Sequence, residues 1–147
     1  MGAGAVDLST HPGHLARRLQ QAHSLLWSVM VSEETTSPQF AVLNALVEKP
    51  DMDQRTLGER VHLDRSTIAD LVARLVRRGL VARVRDPLDG RRNVLKLTEE
   101  GERLHRRLVT RTTRMNRVFL APLDPGEQQT LLRLIARVAD AAEELRG

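Results

Sequence analysis

Three adjacent residues, Arg65, Ser66 and Thr67, are followed at helical spacing by Asp70 and Arg74. Together they carry the groups that read a base edge or hold a phosphate. An arginine fork matches the paired acceptors of guanine in the major groove, and a serine or threonine hydroxyl serves base or phosphate alike. Asp70 repels phosphate, so its use there is to orient an arginine or to accept from cytosine. Arg65 and Arg74 either contact bases or hold phosphates, which positions a protein on the duplex without reading its sequence. A second set follows at Asp89-Gly90-Arg91-Arg92. An arginine at a loop tip can enter a minor groove, where narrow A·T tracts concentrate negative potential. Asp89 precedes Arg91 by two residues, close enough to accept from its guanidinium and hold it extended.

Both sets need a frame, and the stretch from Leu57 to Gly101 supplies one. A short helix over about Gln54 to Val61 meets a turn, His62-Leu63-Asp64, and then a longer helix over Arg65 to Arg78. In that longer helix Ile68, Leu71, Val72, Leu75 and Val76 fall on one apolar stripe. The opposite face shows Arg65, Ser66, Thr67, Asp70, Arg74 and Arg77. Asp64 or Ser66 caps its start, and Gly79 suits the left-handed residue that stops it. Leu80–Arg85 and Val94–Leu97 then alternate as strands around the polar loop Asp86 to Asn93, a β-hairpin. A helix pair followed by such a hairpin is a winged helix-turn-helix, an architecture that binds duplex DNA.

The flanks read as helices. Residues 1–11 are small, polar and aperiodic, and are expected to fray. Leu15, Leu19, Ala22, Leu26 and Met30 make a helical stripe from Pro12 onward, which fades over residues 32–36. Ser37-Pro38 opens the next helix, with the serine as cap and Phe40, Leu43, Leu46 and Val47 as the buried face. Downstream, Thr98 caps a helix striped by Leu104, Leu108, Thr112, Met115 and Phe119, which Pro122 breaks. Asp124-Pro125-Gly126-Glu127 starts a last helix carrying Leu131, Ile135, Val138, Ala142 and Leu145. The expected fold is mainly α with a small β-hairpin wing. It is one chain, 1–147, with a winged lobe at 37–101 and terminal helices at 12–36 and 102–147. The terminal helices either pack together within one subunit or form a dimerisation bundle shared by two. The shared bundle is favoured, because a dimer presents two DNA-binding units at fixed spacing.

Composition narrows the classes. Ten arginines face five carboxylates between residues 55 and 92, so the basic excess is densest over the helix pair and loop. That is the footprint a polyphosphate partner requires. The absence of cysteine excludes disulfides and thiol-based oxidant sensing. Trp27, Phe40 and Phe119 are the only aromatics, too few for a platform that stacks single-stranded bases. No signal peptide pattern or membrane-length apolar run is present, so a cytoplasmic protein with no membrane partner is expected. His11 with His14, and Glu102 with His105, each have the spacing of half a metal site, but no second half stands out. With no phosphate-binding glycine loop and no nucleophile set in a distinctive context, neither catalytic residues nor a metal or other cofactor is expected.

Several short motifs, in order and at these spacings, resemble the MarR family of bacterial regulators over about Pro12 to Glu144. They are residues 37–43, Leu63-Asp64-Arg65-Ser66-Thr67, Arg77-Arg78-Gly79-Leu80-Val81, Asp86-Pro87, Asp89-Gly90-Arg91-Arg92 and Leu97-Thr98-Glu99-Glu100-Gly101. Gly90 departs from the arginine common at its position. The resemblance implies a homodimer, a pseudo-palindromic operator and a small-molecule effector, with Arg91 as the wing arginine steadied by Asp89. It also implies a pocket between bundle and lobe, near which stand Trp27, Phe40, His14, Arg17, Arg18 and His23. The opening Pro12-Gly13-His14-Leu15-Ala16-Arg17-Arg18 is similar to a subgroup linked to aromatic-acid breakdown, whose members answer to phenolic acids or their coenzyme A thioesters. An arginine pair suits such an anion, whereas Trp27 and Phe40 equally suit a plain core. The expected function is that of a ligand-responsive repressor. The competing reading is an architectural DNA-binding protein without an effector.

Overall fold

A computed structural model of the chain describes residue 2 and residues 4–146. The α-helices are α1 (Pro12–Met30), α2 (Ser37–Glu48), α3 (Gln54–Arg60), α4 (Arg65–Arg77), α5 (Glu99–Leu120) and α6 (Pro125–Glu144). Strands β1 (Val81–Arg85) and β2 (Asn93–Leu97) lie between α4 and α5. They pair antiparallel with Val81 opposite Leu97 and Arg85 opposite Asn93. The expected mainly helical winged fold is therefore present.

The apolar stripe of α4 organises the lobe. Ile68, Leu71, Val72 and Leu75 are buried against Val42, Leu43, Ala45 and Leu46 of α2, Leu57 of α3, and Leu80, Val81 and Leu95 of the hairpin. On α2 the buried face is rotated from the expected one. Val42 and Ala45 are in the core, whereas Val47 is exposed and lines an open cleft with Leu46, His105 and Val109. Met52, just before α3, adds a one-residue bridge to β2: the Leu95 N–H donates to the Met52 carbonyl at 2.8 Å. The wing is thus tied to the α2–α3 connection.

Local chemistry sets the ends. The cap of α2 is Thr36, one residue earlier than expected; its hydroxyl accepts from the Gln39 N–H, and the Gln39 side chain accepts from the Thr36 N–H. That reciprocal pair leaves Ser37 and Pro38 in the first turn. Residues near the start are less frayed than expected: Asp7 caps a 3-10 turn at Leu8–Thr10 through the Ser9 N–H and hydroxyl. Gly79 has φ +73°, the left-handed stop after α4. Directly after it the Leu80 carbonyl accepts from the Thr98 N–H, and the Gly79 carbonyl accepts from the Thr98 hydroxyl. The first turn of α5 is therefore pressed against the start of the hairpin.

A second cluster joins α1 to α5 through Trp27, Val31, Leu108 and Met115. α6 differs from every other helix of this length, having no buried residue. Gln128 Nε2 donates to the Leu120 and Leu123 carbonyls near its start, and Glu143 meets His62 Nδ1 at 2.6 Å near its end. Its apolar stripe stays open, with Val138 70% exposed.

A Cβ on Gly101 would collide with the Leu80 carbonyl, whereas one on Gly90 would meet open space. Gly101→Ala should therefore lower the urea-unfolding free energy by about 3 kcal/mol, the upper range for overpacking. Gly90→Ala should leave it within about 0.5 kcal/mol.

Candidate nucleic-acid interface and effector pocket

The start of α4 is held by Asp64, which settles the choice between Asp64 and Ser66. The Asp64 carboxylate accepts from the Thr67 N–H at 2.8 Å and from the Ser66 hydroxyl at 3.0 Å. These bonds, the Thr67 amide first, hold its carboxyl below the usual carboxylate range. Ser66 is thereby part of the cap and offers only its remaining lone pairs outward. Arg65, Thr67, Asp70, Arg74 and Arg77 are exposed along one face. Among the described residues, no ion pair engages Arg65, Asp70, Arg74 or Arg77. Asp70 thus does not orient Arg74 in this state, and its acceptor oxygens face solvent.

The wing departs from expectation in detail. Asp89 does not hold the Arg91 guanidinium; its carboxylate accepts from the Arg91 backbone N–H at 3.1 Å, and its carbonyl accepts from the Arg92 N–H at 3.1 Å. A short side chain at the first position of a turn reaches the backbone two residues on before it reaches a long side chain. Asp89 therefore shapes the tip and leaves the Arg91 side chain projecting. Arg92 is turned inward, its guanidinium 3.4 Å from both Asp86 and Asp53. The Arg85 guanidinium donates to the Gly90 carbonyl at 2.7 Å. Among the described residues, Arg91 is thus the cation of the tip without an ion-pair partner, while Arg92 ties the wing to the start of α3.

The proposed effector residues divide into two groups. His23, Trp27 and Phe40 come together in a row of rings: His23 to Trp27 at 6.0 Å, and Trp27 to Phe40 at 5.7 Å. The row extends at both ends through residues not anticipated from sequence. Phe119 of α5 meets His23 edge-on at 5.4 Å, and His105 stacks on Phe40 at 5.6 Å with ring planes 5° apart. His105 also pairs with Asn44 Oδ1 at 2.9 Å, so the residue weighed as half a metal site is spent on packing and a hydrogen bond. Burial, and secondarily Arg106, pushes its pKa below the usual histidine value. The remaining residues, His14, Arg17 and Arg18, lie farther up α1. His14 Nδ1 and the Arg17 guanidinium pair at 3.2 Å, and both arginines are exposed.

A cavity of about 200 Å³ opens beside the row, lined by Gln20, His23, Ser24, Trp27, Thr36 and Ser37 among others. Arg17 lies one helical turn beyond Gln20, on the same stripe. Trp27 is both core and pocket wall: it is buried, and its indole N–H donates to the Thr35 carbonyl at 2.7 Å. Under this wall the buried Thr35 and Gln39 form a polar cluster with the exposed Arg78. The Arg78 guanidinium donates to Thr35 Oγ1 at 2.9 Å, to Gln39 Oε1 at 3.2 Å and to the Glu34 carbonyl at 3.3 Å. Nothing in the helical stripes marked this cluster, because polar partners far apart in sequence carry no periodicity.

An exposed basic helix face beside a wing with a free arginine defines a winged helix-turn-helix DNA-binding protein. A model described as MarR family matches residues 35–92. The transcriptional regulator HosA of Escherichia coli O111:H- is 34% identical over 128 residues, covering 87% of this chain and 94% of the relative. The PcaV transcriptional regulator of Streptomyces coelicolor, solved with its natural ligand, is 71% identical at a TM-score of 0.90, covering 95% of this chain and 99% of that one. Bordetella bronchiseptica BpsR, whose DNA binding is regulated by 6-hydroxynicotinic acid, is 27% identical at a TM-score of 0.85, covering 93% and 99%. The chain belongs to the MarR family, and is accordingly a transcriptional regulator rather than an enzyme.

Arg91→Ala should weaken DNA binding and reduce the salt slope by about one, as loss of one phosphate or groove contact requires, with an unchanged melting temperature. Arg92→Ala should instead lower the melting temperature. Because the folded-state pKa of His105 is depressed, its neutral form stabilises the fold above the unfolded value of about 6.5, and that contribution is lost as pH falls below it. Urea unfolding at pH 7.5 and 5.5 should show a drop that His105→Asn reduces.

Proposed function

We propose that this chain acts as a homodimeric repressor that grips a pseudo-palindromic operator and is released by an aromatic carboxylic acid. The observation that carries the effector reading is the cavity beside His23 and Trp27, which Glu33 also lines, with Arg17 one helical turn beyond Gln20 at its edge. A wall made by Trp27 and His23, with Arg17 within reach of the opening, suits a flat ring bearing a carboxylate. A cavity of about 200 Å³ takes one ring. A coenzyme A thioester would leave its nucleotide and pantetheine outside, so the free acid is the better fit. The effector of BpsR, 6-hydroxynicotinic acid, belongs to this chemical class.

The dimer reading rests on α1 and α6. Leu15, Leu19, Leu134, Ile135 and Val138 are exposed, and they line one groove between the two helices or border it. An apolar surface of that extent, on the helices outside the DNA-binding lobe, fits a second copy of the chain. Two copies would place two α4 helices and two Arg91 wings on one operator, with Arg65, Thr67, Asp70 and Arg74 toward the major groove and Ser66 completing the cap. Asp89 and Arg92 act by shaping and bracing the wing. Release requires only that the acid prefer the DNA-incompetent arrangement; a tenfold loss of operator affinity corresponds to about 1.4 kcal/mol of coupling.

Genomic fragments selected by the purified protein at about 150 mM salt should yield sharp inverted repeats, since specific regulators favour their sites over random DNA by about 10³-fold or more. A flat spread would favour the architectural reading. Trp27 is the sole tryptophan, so its emission reports pocket occupancy directly. Titration with benzoate, 4-hydroxybenzoate, 6-hydroxynicotinate and a hydroxycinnamoyl-coenzyme A should change that emission and release DNA for at least one free acid. Arg17→Ala should raise the concentration needed by about tenfold, the worth of one charge-assisted bond. Release by the thioester alone would overturn the choice of free acid.

A further inference from the structure

The C-terminal end of the recognition helix is held by a loop that also forms the effector cavity. Arg78 follows the last residue of α4, and its guanidinium reaches back across the lobe to the segment joining α1 to α2. There it occupies Thr35 Oγ1, Gln39 Oε1 and the Glu34 carbonyl. Thr35 is 1% exposed and Gln39 7%, so the side-chain acceptors at Thr35 and Gln39 lie in the interior, while the Arg78 side chain that reaches them is itself partly open to solvent. The same Thr35 takes the Trp27 indole N–H on its carbonyl, and Gln39 closes the capping box of α2 with Thr36, which lines the cavity. Each bond is between groups with few competing partners. A shift of the Trp27 ring must be passed to Thr35 or leave the indole N–H unsatisfied in the interior, which costs about 1–3 kcal/mol. A shift of Thr35 must likewise be passed to Arg78.

We infer that Arg78 is a positioning residue for DNA recognition, coupling the state of the Trp27 wall to the placement of α4 through Thr35. It does not touch DNA in this scheme; it fixes where α4 ends relative to the α1–α2 segment. The inference deepens the effector reading of the cavity, and it identifies the path by which occupancy is read at the DNA face.

The test is a double-mutant cycle read with DNA alone, which keeps it separate from the identity of any effector. Trp27→Phe keeps an aromatic ring, smaller than the indole, and deletes the N–H. Thr35→Val keeps the shape and deletes the hydroxyl that Arg78 uses, and Arg78→Ala deletes the guanidinium. Affinity for the strongest selected duplex, or for a random duplex if none is selected, is measured by fluorescence anisotropy. The temperature is set so that every variant is fully folded by circular dichroism, so that stability does not enter the reading. Trp27→Phe is expected to change DNA affinity about fivefold in the native background and less than twofold in the Arg78→Ala or Thr35→Val background. If Arg78→Ala does not fold, the Thr35→Val cycle decides. Equal fold-changes in all backgrounds, or no effect of Trp27→Phe on affinity, would overturn the coupling. With the coupling upheld and no aromatic acid active, the cavity's effector reading fails while the relay stands.

Discussion

The burial of one face of α4 is the constraint on which the rest of this molecule depends. A helix that leaves Arg65, Thr67, Asp70 and Arg74 facing solvent is held from behind, and Ile68, Leu71, Val72 and Leu75 provide that hold. Each fully buried aliphatic side chain contributes about 1.5–3 kcal/mol, enough to fix a 13-residue helix that would be marginal alone. α2, α3 and the hairpin are arranged around that stripe, and the wing's position follows from it. Because β2 is tied to Met52 and Arg92 to Asp53, the wing cannot swing independently of the α2–α3 connection.

Polar groups then decide which cations remain available. Arg92, Arg85 and Arg78 are spent on carboxylates and carbonyls, while Arg65, Arg74, Arg77 and Arg91 are left facing solvent. A basic sequence is thus sorted by the fold into structural and presenting arginines. Exposed ion pairs of this kind contribute little stability singly; their value here is geometric, since they fix the tip from which Arg91 projects.

The aromatic row from Phe119 to His105 runs from the bundle side into the lobe, through the two places where α1 and α2 lean on α5. It puts the cavity and the recognition helix on opposite sides of one connecting segment, residues 32–36. A small packed change on one side has few ways to be absorbed there, because protein interiors are close-packed and polar bonds within them are expensive to leave unmade. The open α1–α6 face adjoins the cavity, sharing Gln20 and His23 with it. The open apolar face, the cavity and the exposed basic face of α4 therefore share their supporting elements.

The sequence by itself determined the element order, the apolar stripe of α4, the caps at Thr98 and Asp124, and the hairpin with its polar tip; it left the cap of α4 open between Asp64 and Ser66. These are local: a stripe repeats every three or four residues, and a cap bonds an amide two or three positions away. Motif order was enough for the family. What only the tertiary structure decided was which polar groups meet across long separations. Arg78 with Thr35 and Gln39, His105 with Asn44 and Phe40, and Arg92 with Asp53 are pairs no periodicity announces. The choice of Thr36 over Ser37 as cap, and of Val42 over Val47 as core, was also made there. Either choice satisfied the local rules, and the direction from which α4 and α5 pack on α2 selected between them.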